Sequence, residues 1–330
     1  MLGFVFLIGL LASALATPVI WDGRAPFNLT NADLDTSTGP FLTIVKGPEN
    51  ATHYDHLFGH SKLPTPLWNE GLLPREQVIS VSIDNSSIFL PGTGGLQFGF
   101  RRTDIIAAVN GEHTELNARM ETNTTIFHVS IQKDLQRQLN YSHEYQIVFI
   151  EPSDGSQVFK IQLGTPFTNP TGPLPGPNAH EFKVRDHALN VLFTTPFTDH
   201  AWHNFAVAVD WNNRTLAVWY SQDAELLHQV VDTTPNPSVA LGPDGKGDYH
   251  FTVLKVCPPV AVKETTDTQN STVVVVQLPI VNPADPPADQ DDVPHFGIQE
   301  GDLEGLLYSG VFVESASGGI SRGLGVVEHL

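Results

Sequence analysis

Short stretches that alternate apolar and polar residues recur along this chain, and they constrain its fold more than any other feature. They run over residues 77–83, 96–108, 125–133, 145–150, 157–163, 189–194, 202–211, 216–220, 249–256, 272–278 and 305–314. A side-chain period of two marks a half-buried strand. Turn clusters such as Glu151 to Gly155 and Asp210 to Asn213 separate the stretches, and the chain's 27 Gly and 25 Pro supply such turns throughout. With no helical crossovers between strands, the expected fold is all-β: one antiparallel jelly-roll, concanavalin-like sandwich over residues 17–330. The Pro-rich stretches 166–177 and 279–294 cannot continue a central strand and read as loops within that domain. With Cys257 the only cysteine, no intramolecular disulfide forms, and a large core must carry the stability.

Composition narrows the function. Lys+Arg 17 against Asp+Glu 36 leaves a net charge of −19, which repels phosphate backbones and anionic lipid, so nucleic-acid and membrane partners are excluded. A hydrophobic share of 41% excludes wholesale disorder. Met1 to Ala16 is uncharged, is apolar from Gly3 to Leu11 and ends in Ala14-Leu15-Ala16. That reads as a secretory signal peptide cut before Thr17, too short to span a bilayer. Seven sequons, at Asn28, Asn50, Asn85, Asn123, Asn140, Asn213 and Asn270, fit a secreted, extracellular glycoprotein.

Several residues that could carry chemistry have a plainer role. Cys257, after an apolar strand, reads as a buried small hydrophobe. Asp285, Asp289, Asp291 and Asp292 read as a solvated loop rather than a calcium site. His53, His56 and His60 have metal-like spacing only on a helix, which Gly59 and Pro64 oppose. No metal is expected, and the absence of a glycine-rich phosphate loop or nucleophile elbow predicts no organic cofactor.

The strands themselves bring polar groups together. Alternation places Arg102 and Asp104 on one face of their strand, Glu144 and Gln146 on one face of theirs, and His128, Ser130 and Gln132 on one face of the strand between. Such a polar face is either solvated or the floor of a cleft, and its carboxylates, Arg, His and Gln are groups that bind hydroxyls and move protons. Carboxylates on adjacent or next-adjacent strands stand roughly 5 to 10 Å apart, the range used in glycoside hydrolysis. Arg102 beside Asp104 should hold it ionised, a base. Glu144, with no cation near in sequence on its face, is the candidate acid.

Trp21-Asp22-Gly23-Arg24, Arg101-Arg102-Thr103-Asp104, His143-Glu144-Tyr145-Gln146 with Asp154-Gly155, Trp202-His203-Asn204 and the stretch 305–314 occur in an order that resembles fungal glycoside hydrolase family 131, its N-terminal catalytic domain. The resemblance covers about residues 20–314. It implies a β-jelly roll and a secreted β-glucanase acting on β-1,3-, β-1,6- and β-1,4-linked glucans with inversion. The family's two carboxylates then fall on Asp104, where Glu is usual, and Glu144. The family's catalytic His aligns with His203 first and His128 second. Arg102, His128, Gln132, Gln146 and Tyr220 are the expected substrate-binding residues, with Trp68 and Trp219 as further stacking candidates, although a Trp in a sandwich is more often core.

A neutral β-glucan bound by a monomer is therefore the expected partner. Two alternatives stand beside hydrolysis. One is a non-catalytic glucan-binding relative, weakened because Asp104 is one methylene short. The other is a jelly-roll polysaccharide lyase, disfavoured because Gln146-Ile147-Val148 lacks the lyase His and a −19 surface suits uronate chains poorly.

Overall fold

The computed structural model describes residues 17–69, 73–92, 94–166, 174–256, 261–267, 272–278, 286, 292–297 and 299–329. The expected signal peptide, Cys257, Asn270, Asp285, Asp289, Asp291 and much of both Pro-rich stretches lie outside them.

Two antiparallel sheets stack face to face. The eight-stranded sheet runs β13 (His228–Pro235), β12 (Thr215–Gln222), β11 (His203–Asp210), β6 (Thr124–Lys133), β17 (Glu304–Ser315), β4 (Ile79–Ile83) and β3 (Asp55–Leu57), with β1 (Val19–Asp22) also paired to β17. The seven-stranded sheet runs β10 (Val191–Pro196), β9 (Glu181–Asp186), β8 (Phe159–Gly164), β7 (Glu144–Pro152), β14 (Gly247–Val256), β5 (Phe100–Ala107) and β2 (Phe41–Leu42). Two hairpins, β15–β16 (Ala261–Asp267, Thr272–Leu278) and β18–β19 (Ile320–Gly323, Val326–Glu328), stand apart. Helices are short: α1 (Asn31–Asp35), α2 (Ala51–Tyr54), α3 (Thr114–Met120) and α4 (Val293–Phe296). This is the all-β jelly-roll sandwich expected from the alternation.

The core follows from that alternation. Phe127, Val129 and Ile131 on β6 meet Tyr145, Ile147, Phe159, Ile161, Phe182, Tyr249, Phe251 and Val253 from the opposing sheet. Each such side chain removed from water contributes about 1.5–3 kcal/mol. The polar residues between them are turned outward, away from the core, so each sheet has its own outer face.

Two irregularities shape the outer face of the seven-stranded sheet. Register shifts between Gln146 and Val148 on β7 and between Phe251 and Leu254 on β14, so Ile147 and Val148 both turn inward while Gln146 and Phe149 turn out. Carbonyls left over at these shifts are met from across the core. The hydroxyl of Tyr308 on β17 donates toward Thr252 O at 2.5 Å and Ile147 O at 3.2 Å.

Candidate active site

Asp104 and Glu144 point to the same outer face of the seven-stranded sheet. Strand β14 lies between β5 and β7, with Asp104 opposite Thr252, Arg102 and Gln146 both opposite Leu254, and Glu144 opposite Val256. The two carboxyl-bearing residues are thus two strand spacings across and four residues along, about 16 Å between Cα atoms. The expected 5 to 10 Å separation holds across the strands but not along them. The Glu144 carboxyl is held from its own and the next strand: its Oε1 accepts from Gln146 Nε2 at 2.9 Å and from Lys160 Nζ at 3.3 Å. Lys160 corrects the expectation that Glu144 has no cation on its face. The lysine comes from β8, where its spacing in sequence gave no hint of contact. Burial lowers the pKa of Lys160, with Glu144 opposing that shift.

Asp104 has no exposed surface and is saturated with donors. Arg102 reaches it with Nε at 2.9 Å and Nη2 at 2.6 Å, His250 with Nδ1 at 2.8 Å, and Thr252 with its hydroxyl. Burial alone would raise its pKa. The charge of Arg102, with the hydrogen bond and charge of His250, outweighs burial and holds the carboxyl well below the usual carboxylate range. Arg102 also bonds Glu151 Oε2 at 2.5 Å, and His250 Nε2 lies 3.6 Å from the same oxygen. Phe149 stacks on the imidazole at 4.8 Å. The Glu151 side chain keeps 22% of its surface exposed, so it forms the solvent side of the cluster.

Ligand atoms of Asp104, Glu151 and His250 lie within 4.8 Å of one another, a grouping a metal could use. Arg102 already sits between both carboxylates and supplies the positive charge that a cation would bring. The set fits a hydrogen-bonded ion cluster better than a metal centre.

His250, Glu151 and Lys160 are the site residues that sequence reasoning missed. Alternation within Tyr249–Val256 already placed His250 on one face with Thr252, and that was a usable signal. Glu151 reads as the start of a turn, yet β7 continues through Pro152.

Other expected site residues lie elsewhere. Strand β6 belongs to the opposite sheet, so His128, Ser130 and Gln132 occupy the far outer face instead of lying between Asp104 and Glu144. His128 is sealed there: Nε2 bonds Glu314 at 2.9 Å, Phe312 stacks on the ring at 4.2 Å and Trp68 packs edge-on at 5.3 Å. Trp68 sits close because Gly310 in the β17 bulge has φ +59°; a Cβ there would come 2.3 Å from the indole. Gln132 Nε2 donates to His200 O at 3.0 Å. His203 and Tyr220 face the core: His203 Nδ1 pairs with the Tyr220 hydroxyl at 2.7 Å, and burial pushes the imidazole down to about 4. Neither reaches the Asp104 face. Trp219 is also buried. His53, His56 and His60 go to separate partners, Asp84, Asn31 and the Phe27 ring.

A model of the glycoside hydrolase 131 catalytic N-terminal domain matches residues 19–319. Two solved structures are similar. The GH131 beta-glucanase catalytic domain from Podospora anserina is 19% identical with a TM-score of 0.61, covering 93% of this chain and 99% of its own. The catalytic domain of the glycoside hydrolase family 131 protein from Coprinopsis cinerea is 18% identical with a TM-score of 0.61, covering 94% of this chain and 100% of its own. No curated protein matches the chain.

Proposed function

The chain belongs to glycoside hydrolase family 131, and from that premise we propose that it is a secreted, monomeric β-glucanase that cleaves β-1,3-, β-1,6- or β-1,4-linked glucan with inversion on the outer face of the seven-stranded sheet. The observation that carries this reading is the Arg102–Asp104–His250–Glu151 cluster, buried at Asp104 and His250 and open to solvent at Glu151, on the same face as Glu144. Glu144, one of the two carboxylates the family resemblance assigns and the candidate proton donor, has its carboxyl fixed by Lys160 and Gln146. With its Cα about 16 Å from that of Asp104, it shares one glycosidic bond with the Asp104 cluster only where both sets of side chains extend toward each other along the strands. Asp104 has no surface for water to reach, so it acts through His250. Its carboxylate accepts the Nδ1 proton and leaves Nε2, on the Glu151 side, to take a proton from the attacking water. Gln146 and Arg102 line the floor where sugar hydroxyls would lie.

Six of the seven sequon asparagines, Asn28, Asn50, Asn85, Asn123, Asn140 and Asn213, are exposed among the described residues, which supports secretion with glycans attached. The test is release of reducing sugar from purified laminarin-like and cellulosic glucans, with the product anomer followed by NMR. Glu144→Gln that folds and keeps full turnover would overturn the role of Glu144, and a β-anomer as first product would overturn inversion.

The complete burial of Asp104 favours one second reading, a glucan-binding relative that does not turn substrate over. It predicts retention on insoluble glucan with no new reducing ends.

A further inference from the structure

The outer face of the eight-stranded sheet carries a polar hollow that the proposed chemistry does not use. Ala208 pairs with Ala217 across β11 and β12, Ala206 pairs with Trp219, and Trp219 pairs with Gln229 on β13. Ala208, Ala217 and the edge of the buried Trp219 form part of the floor of a pocket of about 730 Å³. Its walls include Trp219, Asp210, Thr215, Gln229, Ser317 and Asn123. That volume falls in the range of small-molecule sites.

An independent observation points to a ligand. Trp219 is 2% exposed, and its indole N–H has no hydrogen-bond partner among the described residues. A buried donor left open is uncommon in a well-packed sheet. The rest of the wall is hydroxyls, amides and small alanines with two carboxylates, Asp210 and Glu328, and His329, and has no Lys or Arg among the described lining residues. Both strand carboxylates of the wall are already engaged: Asp210 by the backbone N–H groups of Asn212 and Asn213 at 2.9 and 2.8 Å, and Glu328 by Arg322 Nη1 at 3.1 Å. Such a wall is unsuited to phosphate or uronate and too polar for lipid. Hydroxyls, amides and carboxylate acceptors over a floor that carries an open indole donor suit the hydroxyl groups of a sugar.

We propose that this pocket binds a short neutral saccharide, independently of the Asp104 face. Two sources share that chemistry. One is a glucan oligosaccharide from solution. The other is the first sugars of an N-glycan on Asn123, which is exposed and lines the pocket within the sequon Asn123-Thr124-Thr125.

The experiment reads the indole N–H signal of Trp219 by NMR in the full chain, assigned by its loss in Trp219→Phe. Unglycosylated protein carrying Glu144→Gln, which suppresses hydrolysis, is titrated with laminarihexaose, cellohexaose and chitobiose. The expected result is a saturable shift of that signal with at least one of the three. Gln229→Ala, a substitution at an exposed edge-strand position, should weaken the affinity about 2- to 10-fold, the effect of one hydrogen bond. Protein glycosylated at Asn123 distinguishes the sources. If it refuses added sugar and Asn123→Gln restores binding, the occupant is the chain's own glycan. If binding is unaffected by the glycan, the occupant comes from solution. A Trp219 signal that none of the three sugars moves, in protein whether or not glycosylated, would overturn the proposal. None of these readouts depends on turnover, so failure of the hydrolase reading and failure of this one are separable.

Discussion

Two buried histidine–carboxylate pairs lie on opposite outer faces of the sandwich. Asp104 with His250 and Glu314 with His128 have similar contact distances, 2.8 and 2.9 Å, and in both the carboxyl side chain is fully buried. They differ in what closes them. Phe312 and Trp68 cover His128, while the Thr17 and Ser321 hydroxyls and the Ser321 N–H fill the remaining acceptor sites of Glu314. The Asp104 pair instead ends on Arg102 and on Glu151, which reaches solvent. The same pair of residue types is therefore a structural tie where it is sealed, and a candidate for chemistry where one side stays open. Residue type alone does not separate the two roles; the neighbours do.

The sharpest way to break this comparison is to remove the charge from each pair. Asp104→Asn should lower turnover about 10²- to 10⁴-fold by disturbing the His250 tautomer and the Arg102 clamp. Glu314→Gln should leave turnover per folded molecule nearly unchanged. Equal losses of turnover in two folded variants would erase the distinction. Next in size, Glu314→Gln should cost about 3–5 kcal/mol of stability, because His128 then stays buried without its partner; urea unfolding measures it.

Acid sharpens the same contrast. Burial would raise the Glu314 carboxyl, but the charge and hydrogen bond of His128 hold it down to about 2. Its folded pKa is below the ordinary value of 4.5, so its stabilisation is complete above pH 4.5 and is lost as pH falls toward 2. Wild type should lose stability over that window, and Glu314→Gln should lose less. An effect of opposite sign and comparable size per group comes from Glu76 and Glu121, which burial pushes up to about 7. Their folded pKa values exceed 4.5, so stability declines as pH rises from 4.5 to 7. Melting curves of Glu76→Gln should flatten that decline.

Much of the fold was legible because alternation reports which residues share a face. It does not report which sheet a strand joins. Strands β5, β6 and β7 are consecutive in sequence, yet β6 crosses to the other sheet, so His128 and Gln132 left the group in which sequence had put them. Alternation also leaves open which strand pairs beside which, so it did not bring Lys160, from the adjoining strand β8, or His250, from the distant strand β14, to the site. The edge strand β13 was also passed over. Polar residues on both its faces, in His228–Pro235, erase the period, and only its pairing with β12 makes it a strand. Asp104 and Glu144 were legible together because both lie on strands whose neighbours in sequence alternate cleanly.

The Tyr308 hydroxyl gives the sandwich a mechanical property that neither sheet has alone. It is a strut of fixed length anchored in one layer and seated on the irregular seam of the other, directly beneath the row that holds Gln146 and Thr252. Any adaptation that slides or separates the two layers, such as tighter packing selected for heat, is transmitted through that strut to the spacing of the polar row above it. Robustness and chemistry in this molecule are therefore geared to one another and cannot be adjusted separately.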